Sequence, residues 1–174
     1  TVLSGMRFNV ALLGWVAATP WLLYLRRTDG WRSRLLLFGA LQLGLFLSML
    51  KIVTAPLPWF FALMFSVPSA TGGFVLYVIF ERLRRRLGDG WGLALFPALT
   101  VGSEWLGANF SEMGSWGALA YTQLDNLPLL QVVSLFGLGG VSALLAVVTA
   151  LSAVLLDSPD ARRWGRATLL VGAL

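Results

Sequence analysis

Long apolar runs dominate this sequence and restrict its fold more than any other feature. Five runs are long enough, or nearly so, to cross about 30 Å of hydrocarbon as helices that rise about 1.5 Å per residue. They cover approximately Asn9–Leu25, Ser33–Leu50, Pro58–Phe80, Trp91–Leu106 and Pro128–Leu156. A sixth run begins near Ala167 and is cut short at the last residue. We therefore predict an all-α, polytopic transmembrane helix bundle with about five full spans and a truncated sixth.

Proline and glycine interrupt two of these runs. Pro20 lies inside the first run, and the third contains Pro68 and the pair Gly72-Gly73. Membrane helices tolerate such interruptions when neighbouring groups satisfy the freed carbonyls. We expect distorted helices at these positions, within a transmembrane domain that takes up all of residues 1–174 and includes no soluble domain. Both ends of the chain suggest a piece of a longer protein.

The composition excludes several kinds of chemistry. Only 12% of the residues are charged, about half of what a soluble domain carries. The chain has no Cys and no His, so thiol nucleophiles, disulfides, Cys/His zinc sites and a Ser-His-Asp triad are all excluded. We predict no catalytic residue in this chain, no metal site and no cofactor.

The basic residues predict an orientation in the membrane. Eleven of the thirteen fall in alternate loops, at Arg26, Arg27, Arg32, Arg34, Arg82, Arg84, Arg85, Arg86, Arg162, Arg163 and Arg166. The positive-inside rule puts these loops in the cytoplasm and the segment from about residue 107 to residue 127 outside. The net charge of +5 then indicates a phospholipid bilayer as the partner, with no nucleic acid.

The stretch SEWLGANFSEMGSWGALAYTQLDNLPLL, residues 103–130, is the main polar interruption. Glu104 lies near the outer end of the fourth run, where a carboxylate needs a partner, a proton or water. It could anchor a substrate headgroup or act as an acid or base, or it could hold a loop or a neighbouring helix. Trp105, Trp116 and Tyr121 mark the headgroup level or contact an acyl chain.

Small residues recur in the fifth run. Gly139 and Ala143 form one small-xxx-small pair, and Ser142 and Ala146 form another. Such pairs allow close approach of helices in membranes. We predict helix packing for Gly137, Gly139, Gly140 and Ser142, in preference to a backbone that opens for a ligand.

The order of these segments resembles a known family. A proline-led helix, FPALTVGSEWL, precedes a glycine-containing loop that ends in Trp, then ALAYTQLDNLPLLQ and GLGGVSALLAVVTALSAVL. This order is similar to the membrane domain of bacterial apolipoprotein N-acyltransferases and related membrane-bound carbon–nitrogen hydrolases of the nitrilase superfamily. The matching positions are Pro97, Glu104, Leu106, Trp116, Tyr121, Gln123, Pro128, Leu129, Gly137, Gly140 and Ser142.

The resemblance implies a multi-pass protein of the bacterial cytoplasmic membrane. In that family, helices precede an outer nitrilase-type domain with a Glu-Lys-Cys triad. Its cysteine takes an acyl chain from a phospholipid as a thioester and passes it to the N-terminal Cys of a lipoprotein. Because the chain lacks cysteine, we expect the catalytic domain to lie outside it. The substrate or lipid-access site would include Glu104, Trp105, Trp116, Tyr121 and Gln123.

Two departures from the family pattern leave alternatives open. Gly107-Ala108 stands where the family commonly has Arg-Gly, and Met113-Gly114-Ser115 stands where it commonly has Gly-Phe-Pro. A membrane-bound amidase or acyltransferase with another substrate is one alternative. A non-enzymatic carrier or scaffold is the other, in which Glu104 would be an ion or proton site.

Overall fold

The computed structural model describes residues 10–54 and 56–157, and every regular element in those ranges is helical. The α-helices are α1 (Ala11–Gly14), α2 (Thr19–Arg27), α3 (Trp31–Leu50), α4 (Phe60–Leu87), α5 (Asp89–Phe110), α6 (Leu127–Leu130) and α7 (Val133–Asp157). A 3₁₀ helix, Leu119–Gln123, lies between α5 and α6. The sixth apolar run falls outside the described residues. The all-α prediction is confirmed.

Three of the described helices, α3, α4 and α7, are long and apolar enough to cross a membrane. α5 has 22 residues but is not among these three. A membrane helix bundle is therefore supported, while the number of five spans stays a prediction.

The first and fifth apolar runs are not single helices, which corrects the sequence-based boundaries. Four residues of turn separate α1 from α2, and Pro20 stands in the first turn of α2, where its missing N–H costs nothing. The fifth run is divided into α6 and α7. In contrast, α4 continues through Pro68 and Gly72-Gly73 as one helix of 28 residues.

The helices pack as a closed group with α3 on its outside. α4 contacts α3, α5 and α2, while α7 contacts α5 and α2. The main core contains Leu22, Leu25, Leu37, Leu41, Tyr77, Phe80, Phe96, Ala146, Ala150 and Ala153. Three alanines on α7 allow α2 and α5 to approach its axis closely, because a methyl group keeps little distance between backbones.

A glycine with positive φ connects α4 to α5. Gly88 has φ 92° and donates its N–H to the Arg84 carbonyl at 2.8 Å. Glycine adopts this positive φ at the end of a helix without the steric cost that a Cβ would bring. The sharp turn brings the end of α4, the start of α5, the α2–α3 connection and the end of α7 to one end of the bundle, which we call the arginine end.

Candidate functional site

The 3₁₀ helix at the opposite end of the bundle is held by two side chains from different helices. The Leu119 N–H donates to Glu104 Oε1 at 2.7 Å, and the Ala120 N–H donates to Ser142 Oγ at 3.1 Å. Ser142 is fully buried. α5 and α7 thus satisfy the free N–H groups that begin a helix. The geometry places Glu104 as an anchor of the loop.

Gln123 ends the 3₁₀ helix with a fully buried amide. Its Nε2 donates to the Ala11 carbonyl at 2.7 Å and to Thr122 Oγ1 at 3.1 Å. Its Oε1 accepts from Trp15 Nε1 at 3.2 Å. Both ends of the amide are used, so Gln123 fastens the outer loop to the N-terminal helix.

Thr149 of α7 stabilises the break between α1 and α2. Its Oγ1 donates to the Trp15 carbonyl at 2.9 Å, and its own carbonyl accepts from Thr19 Oγ1 at 3.4 Å. A carbonyl freed by a helix break in an apolar environment needs such a partner. The sequence analysis missed Thr149 and Thr19, although two threonines within apolar runs were a visible signal.

Gly14 allows α1 to lie directly against the 3₁₀ helix. A Cβ at this position would be 2.4 Å from Thr122 Oγ1 and 2.8 Å from Gln123 Nε2. Any larger residue would push these groups apart. Gly14 is therefore a close-approach position that the sequence analysis did not identify.

The predicted aromatic residues of the outer loop are only partly enclosed. Tyr121 Oη and Ser115 Oγ are 2.7 Å apart and share a hydrogen bond. The Trp116 ring meets Phe65 of α4 edge-on, with centroids 6.1 Å apart, and Trp105 meets Phe110 at 6.3 Å. Both tryptophans stay exposed, at 43% and 60%. The structure thus separates the set into two anchors of the loop, the half-buried Glu104 and the buried Gln123, and three aromatic residues. Of these, Tyr121 is half-buried and the two tryptophans are exposed.

The glycines of α7 have different surroundings. Gly139 faces α5, since a Cβ there would be 3.3 Å from Val101 Cγ1, and Gly140 lies under Phe136. Gly137 has φ 65° and ψ −176° and interrupts the helix, with open space around it. Its geometry differs from the packing role expected of it, because the position requires a backbone that only glycine adopts readily.

The arginine end contains a connected set of ion pairs. Arg26 pairs with Asp157 at 2.6 Å and with Asp89 at 3.1 Å. Arg84 pairs with the same Asp89 at 2.5 Å and with the buried Glu81 at 2.8 Å. These contacts join α2, α4, α5 and α7.

Asp89 lies at the start of α5, where its charge is balanced by these arginines. Burial alone would raise the pKa of Asp89, but the hydrogen bond from Arg84 and the charges of Arg26 and Arg84 outweigh it. The pKa of the Asp89 carboxyl is therefore held below its usual range. Nowhere in residues 10–54 and 56–157 are three His, Cys, Asp or Glu side chains grouped so that they could hold a metal ion.

Comparison with known proteins gives one family. Residues 1–151 match the family described as the apolipoprotein N-acyltransferase N-terminal domain. A protein of Geobacter metallireducens named apolipoprotein N-acyltransferase is 31% identical over 153 residues, which cover 80% of this chain and 28% of that protein. One of the same name from Bradyrhizobium diazoefficiens is 39% identical over 83 residues, or 47% of this chain and 15% of that protein. The chain thus spans less than a third of the length of these curated relatives. No solved structure matches it.

Proposed function

The chain belongs to the apolipoprotein N-acyltransferase family as its N-terminal membrane domain, and we propose that it anchors the enzyme in the bacterial cytoplasmic membrane and admits lipid to a catalytic domain. The observation that carries the proposal is the match over residues 1–151. A bundle of apolar helices with three possible spans supports it. The hydrogen bonds of Glu104, Ser142 and Gln123 at one end of the bundle support it too, since they would keep a loop in a fixed place beside a second domain.

The outer loop would form the edge of the lipid-access site. Glu104, Ser142 and Gln123 fix the 3₁₀ helix through hydrogen bonds. Trp105 and Trp116 stay exposed near it. Exposed tryptophan rings are amphipathic and suit the boundary between headgroups and acyl chains. We therefore assign lipid contact to the two tryptophans and positioning of the 3₁₀ helix to Glu104, Ser142 and Gln123.

The reaction would proceed in two acyl transfers on a nitrilase-type domain outside this chain. A base of that domain would take the proton of the cysteine thiol, and the thiolate would attack the ester carbonyl of a phospholipid. The ester C–O bond would break, the expelled alkoxide would take up that proton and leave as lysophospholipid, and the acyl chain would remain as a thioester. The N-terminal amine of a lipoprotein would then attack the thioester, lose its proton and form an amide as the thiol is restored. The residues of this chain would hold and orient lipid without entering either bond change.

Acyl transfer by the protein encoded by the complete reading frame tests this proposal. The purified enzyme would receive a phospholipid and a peptide that begins with diacylglyceryl-cysteine, and mass spectrometry would follow both products. We expect a peptide heavier by one acyl chain together with lysophospholipid, and no product from a Cys→Ser variant of the catalytic domain. Hydrolysis of an amide without acyl transfer would favour the amidase alternative. A reading frame without a Glu-Lys-Cys region would overturn the proposal.

A further inference from the structure

Ion pairing at the arginine end leaves a group of arginines over. All four acidic side chains that the structure describes there, Asp29, Glu81, Asp89 and Asp157, pair with Arg26, Arg27, Arg84 or Arg85. Among the described arginines, four others form no ion pair with a described residue: Arg32, Arg34, Arg82 and Arg86. The positive charge that remains is therefore concentrated on these four.

The end of α4 has two chemically different faces. On the inner face, Phe80 and Glu81 are buried, and Arg84 is engaged in ion pairs. On the outer face, Ile79, Arg82 and Arg86 follow one another at helical spacing and are all exposed. An exposed apolar stripe that ends in two arginines suits a helix that leaves acyl chains for the headgroup level.

The beginning of α3 repeats this pattern. Trp31 is 69% exposed, and the Arg32 guanidinium lies 5.7 Å from the centre of its ring. Leu36, one turn further on, is 67% exposed. Arg34 faces inward, and its Nη1 is enclosed without a hydrogen-bond partner among the described residues.

These two helix ends form one surface. α3 and α4 pack against each other, and Arg85 of α4 pairs with Asp29, just before α3, at 2.5 Å. Three of the unpaired arginines, Arg32, Arg82 and Arg86, are therefore exposed on adjacent helix ends beside exposed apolar side chains. A soluble polyanion would match the charges but not the exposed Leu36 and Ile79 next to them.

We propose that this surface binds the phosphodiester headgroups of anionic phospholipids, with the acyl chains along the exposed apolar faces of α3 and α4. Arg82 and Arg86 contact the headgroup from α4, and Arg32 contacts it from α3. The inference goes beyond the proposed function, because it concerns the end of the bundle away from the outer loop and a lipid that is bound, not consumed.

Native mass spectrometry of the protein encoded by the complete reading frame tests this surface. The protein would be equilibrated with mixed micelles of phosphatidylglycerol and phosphatidylcholine, and the retained lipids counted. We expect selective retention of phosphatidylglycerol. Arg82→Gln or Arg86→Gln should lower that selectivity about fivefold, and the double variant by roughly 25-fold, at about one kcal/mol per basic residue near an anionic surface.

Arg27→Gln is the matched control. Arg27 is exposed at the same end and carries the same charge, but it is already paired with Asp157 at 3.2 Å. We expect it to change selectivity less than twofold. An equal loss with Arg27→Gln would show a net-charge effect and overturn the site, as would full selectivity in the double variant. Because no acyl transfer is measured, this result is independent of the proposed function.

Discussion

The buried amide of Gln123 has its donor and acceptor groups occupied by residues more than one hundred positions away in the chain. The Ala11 carbonyl accepts a hydrogen bond from the amide, and Trp15 Nε1 donates one to it. Four helices, α2 to α5, lie between these residues and Gln123 in the chain. The sequence places Gln123 in the loop between the fourth and fifth apolar runs, as the structure does, but gives no sign of these partners. The sequence alone was enough to single out Gln123 as a polar residue of the loop. Its hydrogen-bond partners could not be predicted, because they depend on how α1 folds back against the loop.

Gly14→Ala tests the close approach of α1 to the 3₁₀ helix. The new Cβ would lie 2.8 Å from Thr122 Cβ, which is fixed to the backbone and cannot move freely. Overpacking of this kind costs about 1–3 kcal/mol, and thermal unfolding in detergent should show a lower midpoint. Gly39→Ala in α3 is the control, since it meets nothing within 4 Å and should be neutral or gain up to about 1 kcal/mol. Equal midpoints for the two variants would contradict the contact.

Glu104 separates an anchoring role from a proton-carrying one. Glu104→Ala removes the acceptor for the Leu119 N–H at 2.7 Å and should lower the free energy of unfolding by about 1–3 kcal/mol. Glu104→Gln keeps a carbonyl oxygen at that place, so unfolding and acyl transfer should stay close to those of the unaltered protein. A carrier that moves protons through Glu104 would instead lose activity in both variants. The measurement is acyl transfer beside thermal unfolding for the same two preparations.

At the scale of helices, the sequence predicts which helices form better than it predicts where a helix is interrupted. α3 follows the second apolar run closely, and α4 follows the third but continues past Phe80 to Leu87. A long run without charge has no better solution in a membrane than one helix. Breaks are decided elsewhere. Pro68 does not end α4, whereas the turn after Gly14 is stabilised by Thr149 from the far end of the chain. Such long-range compensation cannot be read from local composition.

The break in α7 predicts an effect of Gly137→Ala that open space alone would not suggest. No atom lies within 4 Å of a Cβ at this position, yet φ 65° with ψ −176° is a region that only glycine adopts at low energy, with a strain of about 1–3 kcal/mol for other residues. Thermal unfolding should therefore occur at a lower temperature. Gly72→Ala, also in open space but in the regular helix α4, provides the comparison. An unchanged midpoint for Gly137→Ala would mean that the helix break is not retained.

The ion pairs between helix ends predict a dependence of stability on acid. The folded pKa of Asp89 is below its ordinary value, so its contribution is complete above the unfolded pKa of about 4 and is lost as pH falls through the folded pKa. Because the Asp89 side chain is 49% exposed, we expect a loss under about 1 kcal/mol. Asp89→Asn should be less stable at neutral pH and show less change below about pH 4. Unfolding midpoints measured over this range check it, and parallel curves for the two proteins would refute it.

For the molecule as a whole, the charge pattern and the packing describe the same asymmetry. The eight arginines of the alternate loops that the structure describes lie at one end of the bundle, and the hydrogen bonds of Glu104 and Gln123 lie at the other. The polarity of the bundle was thus predictable from the spacing of the arginines. Which arginines pair and which stay free was not, because that depends on the faces that α3 and α4 turn toward the core.

This asymmetry leads to a prediction about orientation in the membrane. Arginine-rich loops stay in the cytoplasm, so Leu87→Cys at the arginine end should be protected from a membrane-impermeant maleimide added to intact spheroplasts. Met113→Cys in the outer loop should be labelled. Both positions are exposed, at 50% and 49%, so burial does not explain a difference, and labelling of the unsubstituted protein sets the background. Disruption of the membrane should bring the two to similar labelling. The opposite pattern in intact spheroplasts would show that the orientation is inverted, with residues 107–127 on the cytoplasmic side. That result would contradict the proposed lipid-access site, which requires this loop to lie beside a catalytic domain on the external face. It would also move the anionic-lipid surface to the other leaflet.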